Sequence, residues 1–216
     1  PRYFSSAASD VYKRQIFRQR RDDRRAREVY QNVEEMLEVE DAGVLISARL
    51  RLADGFLEIG ESERAREHAM SVHDLSLELN EHQLHARSRV ILGRYYAKTK
   101  DSELSLLHYN AALETFSEEA NPTNAVETEM LLGQVLVDVG RTSEASEHYL
   151  DALSIAEAND FRLLQAEILA RLGTIRGDRS ERVAYLQRSL SVFKDLGAHT
   201  RMKEIQNSVH RALMGR

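Results

Sequence analysis

Apolar positions recur along this chain in two nested rhythms. Within a segment they fall at i, i+3, i+4 and i+7, which lines one face of an α-helix. Ala26, Tyr30 and Val33, continued by Met36 and Leu37, make one such stripe. Across segments a longer skeleton returns every 40 residues. Leu52-Ala53-x2-Phe56, Gly60, Ala65-x3-Ala69-x2-Val72 is answered by Leu92-Gly93-x2-Tyr96, Lys100, Ser105-x3-Tyr109-x2-Ala112. The third copy is Leu132-Gly133-x2-Leu136, Gly140, Ala145-x3-Tyr149-x2-Ala152. A fourth opens on schedule at Leu172-Gly173, shortens by about three residues, and runs on through Val183, Leu186, Ser189, Leu190 and Phe193. Each block reads as two helices around a tight turn. The pattern predicts an all-α solenoid of antiparallel helix pairs, because a non-repetitive bundle would not return at a fixed period.

The residues in the skeleton have physical reasons. Small residues at 53, 93, 133 and 173 let neighbouring helices approach, and the large residue three positions later fills the space beside them. Gly60 and Gly140 can adopt the left-handed conformation that closes a helix. Ser62, Ser102 and Thr142 are then placed for a hydroxyl to cap the next helix. Ala65, Ser105 and Ala145 again permit close packing, and Tyr109 and Tyr149 supply bulk one turn later. A last helix, expected over 199–213, has Met202, Ile205, Val209 and Leu213 on one face. Its polar outer side suits the cap that a repeat array needs.

The order L-G-x2-Y, Gly, A-x3-Y/F-x2-A resembles the tetratricopeptide repeat family. The likeness covers about residues 16–196: a partial repeat at 16–43, repeats near 44–83, 84–123, 124–163 and 164–196, then a capping helix at 197–216. The common unit is about 34 residues, so the unit here is long. Six extra residues at ~1.5 Å rise each give every pair about 9 Å more helix. Long units of this kind resemble those of bacterial regulators and of multidomain signalling ATPases, kinases and transcription activators. The resemblance implies a right-handed superhelix whose first helices line a concave groove for a peptide or helical segment. Carried over by position, the groove candidates are Arg51, Asp54 and Glu58, then Arg94 and Lys98, then Gln134 and Asp138, then Arg171 and Thr174. The family's carboxylate clamp uses Lys and Asn, whereas the matching positions here are Leu50, Val90, Met130, Asp54, Arg94 and Gln134. That departure argues against gripping a chaperone tail. Arg87, Arg94 and Lys98 lie along one face of one helix, which fits either an acidic partner or a solvated surface. The resemblance therefore implies a protein-interaction module. The alternative is the regulatory arm of a larger signalling protein whose catalytic or DNA-binding domain lies upstream.

The N-terminal stretch reads differently. Ser5 to Gln15 resembles the read-through translation of a transposase sequencing adapter, so residues 1–15 are expected to be non-native, with native sequence from near Ile16. The cluster Arg20-Arg21-Asp22-Asp23-Arg24-Arg25 reads as a solvated turn and helix start capped by Asp22 or Asp23, not as a nucleic-acid patch. An incomplete first pair would leave an apolar edge around Tyr30 and Val33, through which copies could self-associate.

Composition adds limits. The chain has 216 residues, 6% aromatics, two prolines and no Trp, unlike strand-rich domains. A net charge of −5 gives no nucleic-acid footprint. No apolar run approaches the roughly 20 residues that span a bilayer. With no cysteine there is no disulfide or thiolate metal site, which agrees with a cytoplasmic setting. There is no Gly-rich phosphate loop, no GxSxG and no HExxH, so neither cofactor nor catalysis is expected. His82 and His85 with His73 could be imagined as metal ligands but read as surface residues. His68, His108 and His148 keep the 40-residue period and also read as repeat-surface residues.

Overall fold

In a computed structural model, residues 23–37, 41–175 and 178–214 are described. The adapter-like segment, Ile16, Arg20 to Asp22 and the capping role of Asp22 or Asp23 lie outside these residues or their side chains. Ten α-helices and no strand occur among them: α1 (Asp23–Glu35), α2 (Ala42–Glu58), α3 (Ser62–Glu78), α4 (His82–Lys98), α5 (Ser102–Glu118), α6 (Pro122–Asp138), α7 (Thr142–Ala158), α8 (Arg162–Ile175), α9 (Arg179–Asp195) and α10 (His199–Met214). Seven of them are 17 residues long, or about 26 Å at ~1.5 Å per residue. The foreshortened fourth block is seen in α8, which has 14 residues. The chain divides inside α5, after His108, into two compact units.

In the first unit α1 packs on α2, α2 on α3 and α4, and α3 on α4. Its core gathers Tyr30, Ile46, Leu52, Phe56, Leu57, Val72 and Leu92. In the second unit α6 packs on α7, α7 on α8, α8 on α9, and α9 on α10. There Ala166, Leu186, Phe193, Ile205 and Ala212 form one cluster, with Val183, Met202 and Val209 against it. Within each unit these helices thus bury their apolar stripes against neighbours in sequence, as the repeating skeleton predicts.

Close approach at the small residues is explicit. A Cβ on Gly133 would lie 2.7 Å from the buried Tyr149 ring, and one on Gly173 would lie 2.6 Å from Leu186. The first unit uses a site the skeleton does not mark: the ring of Tyr30 sits against Gly55. Tyr30 is consequently only 4% exposed. The expected bare edge is thereby corrected at Tyr30, which faces the body of the unit, with Val33 partly buried beside it.

The turns follow a finer rhythm than the glycines suggest. Gly60 and Gly140 have φ of +85° and +80°, and Asn80, Lys100, Ala120 and Asp160 have positive φ at the same place in the intervening turns. At each, two backbone bonds close the helix: Gly60 N–H donates to the Leu57 carbonyl and Glu61 N–H to Phe56, at 3.3 and 2.9 Å. Among the described residues, hydroxyl capping is not found. Ser62 and Thr142 are already the first helical residues, and Glu61 and Arg141 at the caps make no side-chain capping bond. Capping oxygens come instead from Asp41, Asn121 and Asp178, with Asp101 accepting from the Leu104 N–H at 3.1 Å.

Candidate functional site

The groove candidates fall on the first helix of each pair. Spacings of three, four and seven place Arg51, Asp54 and Glu58 on one face of α2, and Arg87, Arg94 and Lys98 on one face of α4. In the first unit these helices pack side by side. The Arg94 guanidinium pairs with Asp54, and Lys98 Nζ donates to the Leu57 carbonyl. Partial burial lowers the pKa of Lys98, and Arg94 adds to this while Glu58 opposes it. Arg51, Glu58, Arg87 and Lys98 are exposed.

Net charge separates sharply by helix. α4 carries Arg87, Arg89, Arg94 and Lys98 and no carboxylate. α6 carries Glu127, Glu129 and Asp138 and no cation. In the second unit, Gln134 Nε2 donates to Asp138 at 2.9 Å and Gln134 Oε1 accepts from Arg171 at 2.5 Å. The Arg171 guanidinium also lies 5.9 Å from the centre of the Tyr149 ring. Thr174 donates within its own turn, to the Arg171 carbonyl. The structure therefore joins Asp54 to Arg94, and Gln134 to both Asp138 and Arg171. Among the described residues Arg51 has no such partner.

Another set of polar residues lies on the opposite side of these first helices. Positions 49, 89 and 129 share a register and read Arg, Arg, Glu. The histidines at 68, 108 and 148 act with them electrostatically. His68 is not a surface residue: it is 4% exposed, stacks on Phe56 at 5.5 Å, and its Nε2 meets Glu34 at 3.0 Å. Burial holds its pKa below the ordinary value, against the pull of Glu34, and Arg49 pushes the same way as burial. His108 stacks on Tyr96 at 5.3 Å and is likewise lowered, by burial and then by Arg89. His148 is the reverse. Its Nδ1 lies 2.6 Å from the carboxylate of buried Glu129, and that hydrogen bond lifts its pKa against desolvation. Comparing positions 49, 89 and 129 one by one would have exposed this inversion in the sequence.

The sign for stability follows. A raised folded pKa means that the His148–Glu129 pair stabilises fully below the unfolded value near 6.5 and that this is lost as pH rises through the elevated folded value. Replacing Glu129 with Gln is expected to bring the His148 titration, followed by NMR of the ring protons, down to the ordinary value or below. An unmoved titration would show that Glu129 is not the cause.

Among the described residues no group of three or more His, Asp or Glu side chains is arranged to hold a metal ion, and no helix is long and apolar enough to cross a membrane.

A family profile for the tetratricopeptide repeat matches residues 130–159. No curated protein matches the chain by sequence. Among solved structures, it is similar to a signal transduction ATPase with numerous domains (STAND) from Pyrococcus horikoshii that carries a tetratricopeptide repeat sensor. The TM-score is 0.79 at 15% identity, over 95% of this chain and 32% of that one. The chain thus spans about a third of that protein. It is similar to RapI in its apo form, at TM-score 0.65 and 19% identity, covering 95% of this chain and 81% of that one. A Rap protein in complex with competence and sporulation factor matches at TM-score 0.52 and 14% identity, covering 96% and 76%. Helix pairs of this register, the repeat matched at residues 130–159 and these structural likenesses lead to one conclusion: the chain has the all-α fold of tetratricopeptide repeat solenoids.

Proposed function

We propose that this chain is a cytoplasmic protein-interaction module that binds an acidic peptide or helical segment in a groove along its first helices, with no catalysis of its own. The fold is one typical of protein-interaction modules. The observation that carries the acidic choice is α4, a helix with Arg87, Arg94 and Lys98 along one face and no carboxylate, in a chain of net charge −5. Arg51, Arg87 and Lys98 would meet the partner's carboxylates, and Asp54 would hold Arg94 in position. Gln134, Asp138, Arg171 and Glu58 would contribute hydrogen bonds along the remaining first-helix faces. Exposed charges of this kind act over about a Debye length, ~8 Å at physiological salt, so affinity should fall steeply as salt is added. A relative of the same fold, the Rap protein, was solved holding competence and sporulation factor.

Selection of 15-residue peptides from a random display library tests this. The chain should enrich sequences rich in Asp and Glu, and the variant Arg94→Glu with Lys98→Glu should lose them while its helical circular dichroism is unchanged. Enrichment without acidic excess, or full binding by the variant, would overturn the reading.

A second reading makes the chain the regulatory arm of a larger signalling protein. It is favoured by the likeness to the sensor-bearing STAND ATPase, where 95% of this chain aligns with 32% of that one. A long sequencing read through the native locus, across the codon for Ile16, decides it. A catalytic or DNA-binding domain upstream supports the arm. Further helical repeats alone, or a nearby start codon, oppose it.

A further inference from the structure

His73 on α3 and His85 on α4 lie face to face, with ring centroids 4.3 Å apart. His108 on α5 belongs to the same cluster, with its ring stacked on Tyr96. His73 Nδ1, His85 Nε2 and His108 Nδ1 are all buried with no hydrogen-bond partner among the described residues. The nearby hydroxyls are already engaged: Ser76 donates to the His73 carbonyl at 3.0 Å and Ser88 to the His85 carbonyl at 2.7 Å. Charged neighbours oppose further positive charge. Arg89 and His82 on α4 both do so, and the carboxylate that acts on the cluster is Asp74 on α3, behind Arg89 in its effect on His73.

His73 and His85 stand at repeat positions that are otherwise largely apolar. Forty residues earlier, positions 73 and 85 correspond to Val33 and Leu45; forty residues later, to Leu113 and Ala125. Packing at this position in the repeat is met by aliphatic side chains elsewhere in the same chain, so packing alone does not call for two histidines. As neutral rings they fill the space. As imidazolium ions they place like charges in contact, beside Arg89, with no acceptor among the described residues placed to receive the new N–H.

We propose that the junction of α3, α4 and the start of α5 (residues 102–108) in the first unit is an acid-opened joint, in which protonation of the His73, His85 and His108 cluster loosens the packing of these segments. The device stands whether or not the α4 face takes an acidic partner. Burial lowers all three rings, and His85 is brought to about 4 by burial first and then by His73, Arg89 and His82. With a depressed folded value, the stability held by the neutral cluster is complete above the unfolded value near 6.5 and drains away as pH falls from there toward about 4. The His148–Glu129 pair of the second unit responds with the opposite sign, so acid would act selectively on the first unit.

Hydrogen exchange on the full chain between pH 7.5 and 5, corrected for the chemical exchange rate, tests the joint. Amides in residues 73–108 should open about tenfold more readily per pH unit below 6.5 for each proton taken up, while residues 142–158 hold. The variant His73→Leu with His85→Ala installs the pair that the chain itself uses at 113 and 125, and it should abolish most of the increase. Protection of 73–108 that persists to pH 5, or a variant that opens as the wild type does, overturns the proposal. NMR titration of the wild type decides independently of any variant. His85 titrating only as residues 73–108 open supports the joint, and His85 titrating near 6.5 within an intact fold refutes it.

Discussion

Replacing Tyr149 with alanine is expected to destabilise the second unit by about 3–5 kcal/mol, the range for removing a large buried aromatic ring. Tyr149 is 1% exposed and among the largest fully buried side chains in the chain. Its ring lies against the backbone of α6 at Gly133 and under the guanidinium of Arg171. Removing it would leave a cavity walled by three helices, and none can slide inward without disturbing its other neighbour. Such rigid surroundings place the cost toward the upper end, because a cavity that cannot collapse keeps its full penalty. Urea denaturation followed by circular dichroism measures it. A loss below 1 kcal/mol would mean that α6 and α7 are held by something other than this ring.

The second large effect lies on the other side of the same contact. Gly133→Val should cost about 3 kcal/mol, at the upper end of overpacking penalties. Glycine in mid-helix normally disfavours the helix by ~1 kcal/mol relative to alanine, so the residue is retained against propensity. The reason is spatial: a Cβ there would come 2.7–2.9 Å from three atoms of the Tyr149 ring. The ring is buried and cannot swing clear. Combining Gly133→Val with Tyr149→Ala should therefore cost less than the two single changes added together, since the valine enters space the ring has left. Simple additivity in the double-mutant cycle would show that the two residues do not share that space.

Gly133 and Tyr149 were legible in the sequence because both recur in the repeat: positions 53, 93, 133 and 173 are all small, and Tyr149 repeats Tyr109 forty residues earlier. The helix pairs, the shortened fourth block and the left-handed turns at Gly60 and Gly140 were legible for the same reason. Gly55 and Tyr30 were not, since their contact falls outside the shared skeleton. Nor were the caps, because a turn closed by backbone bonds starts the next helix at Ser62 or Thr142 itself and leaves their hydroxyls nothing to cap. The polar contacts were hidden more deeply. His148 is lifted by its bond to Glu129, whereas His108 is lowered first by burial and then by Arg89, and the residue type at this position varies while the helix register stays fixed. Of the first-helix candidates, the sequence placed the residues on their faces, but the pairing of Arg94 with Asp54 requires knowing that α2 and α4 lie side by side.

Links between helices in both units join residues that are near in sequence. Ser105 bonds Gly93 twelve residues away, Arg201 bonds Glu167 thirty-four away, and Lys98 reaches the Leu57 carbonyl at forty-one. The entropy of closing loops of this size rises only slowly with length, and short loops favour rapid folding. Folding can therefore begin in any helix pair and spread to its neighbours. Gain or loss of a whole 40-residue unit would leave each remaining pair with the neighbours it needs, so array length can vary in evolution without a redesign of the core.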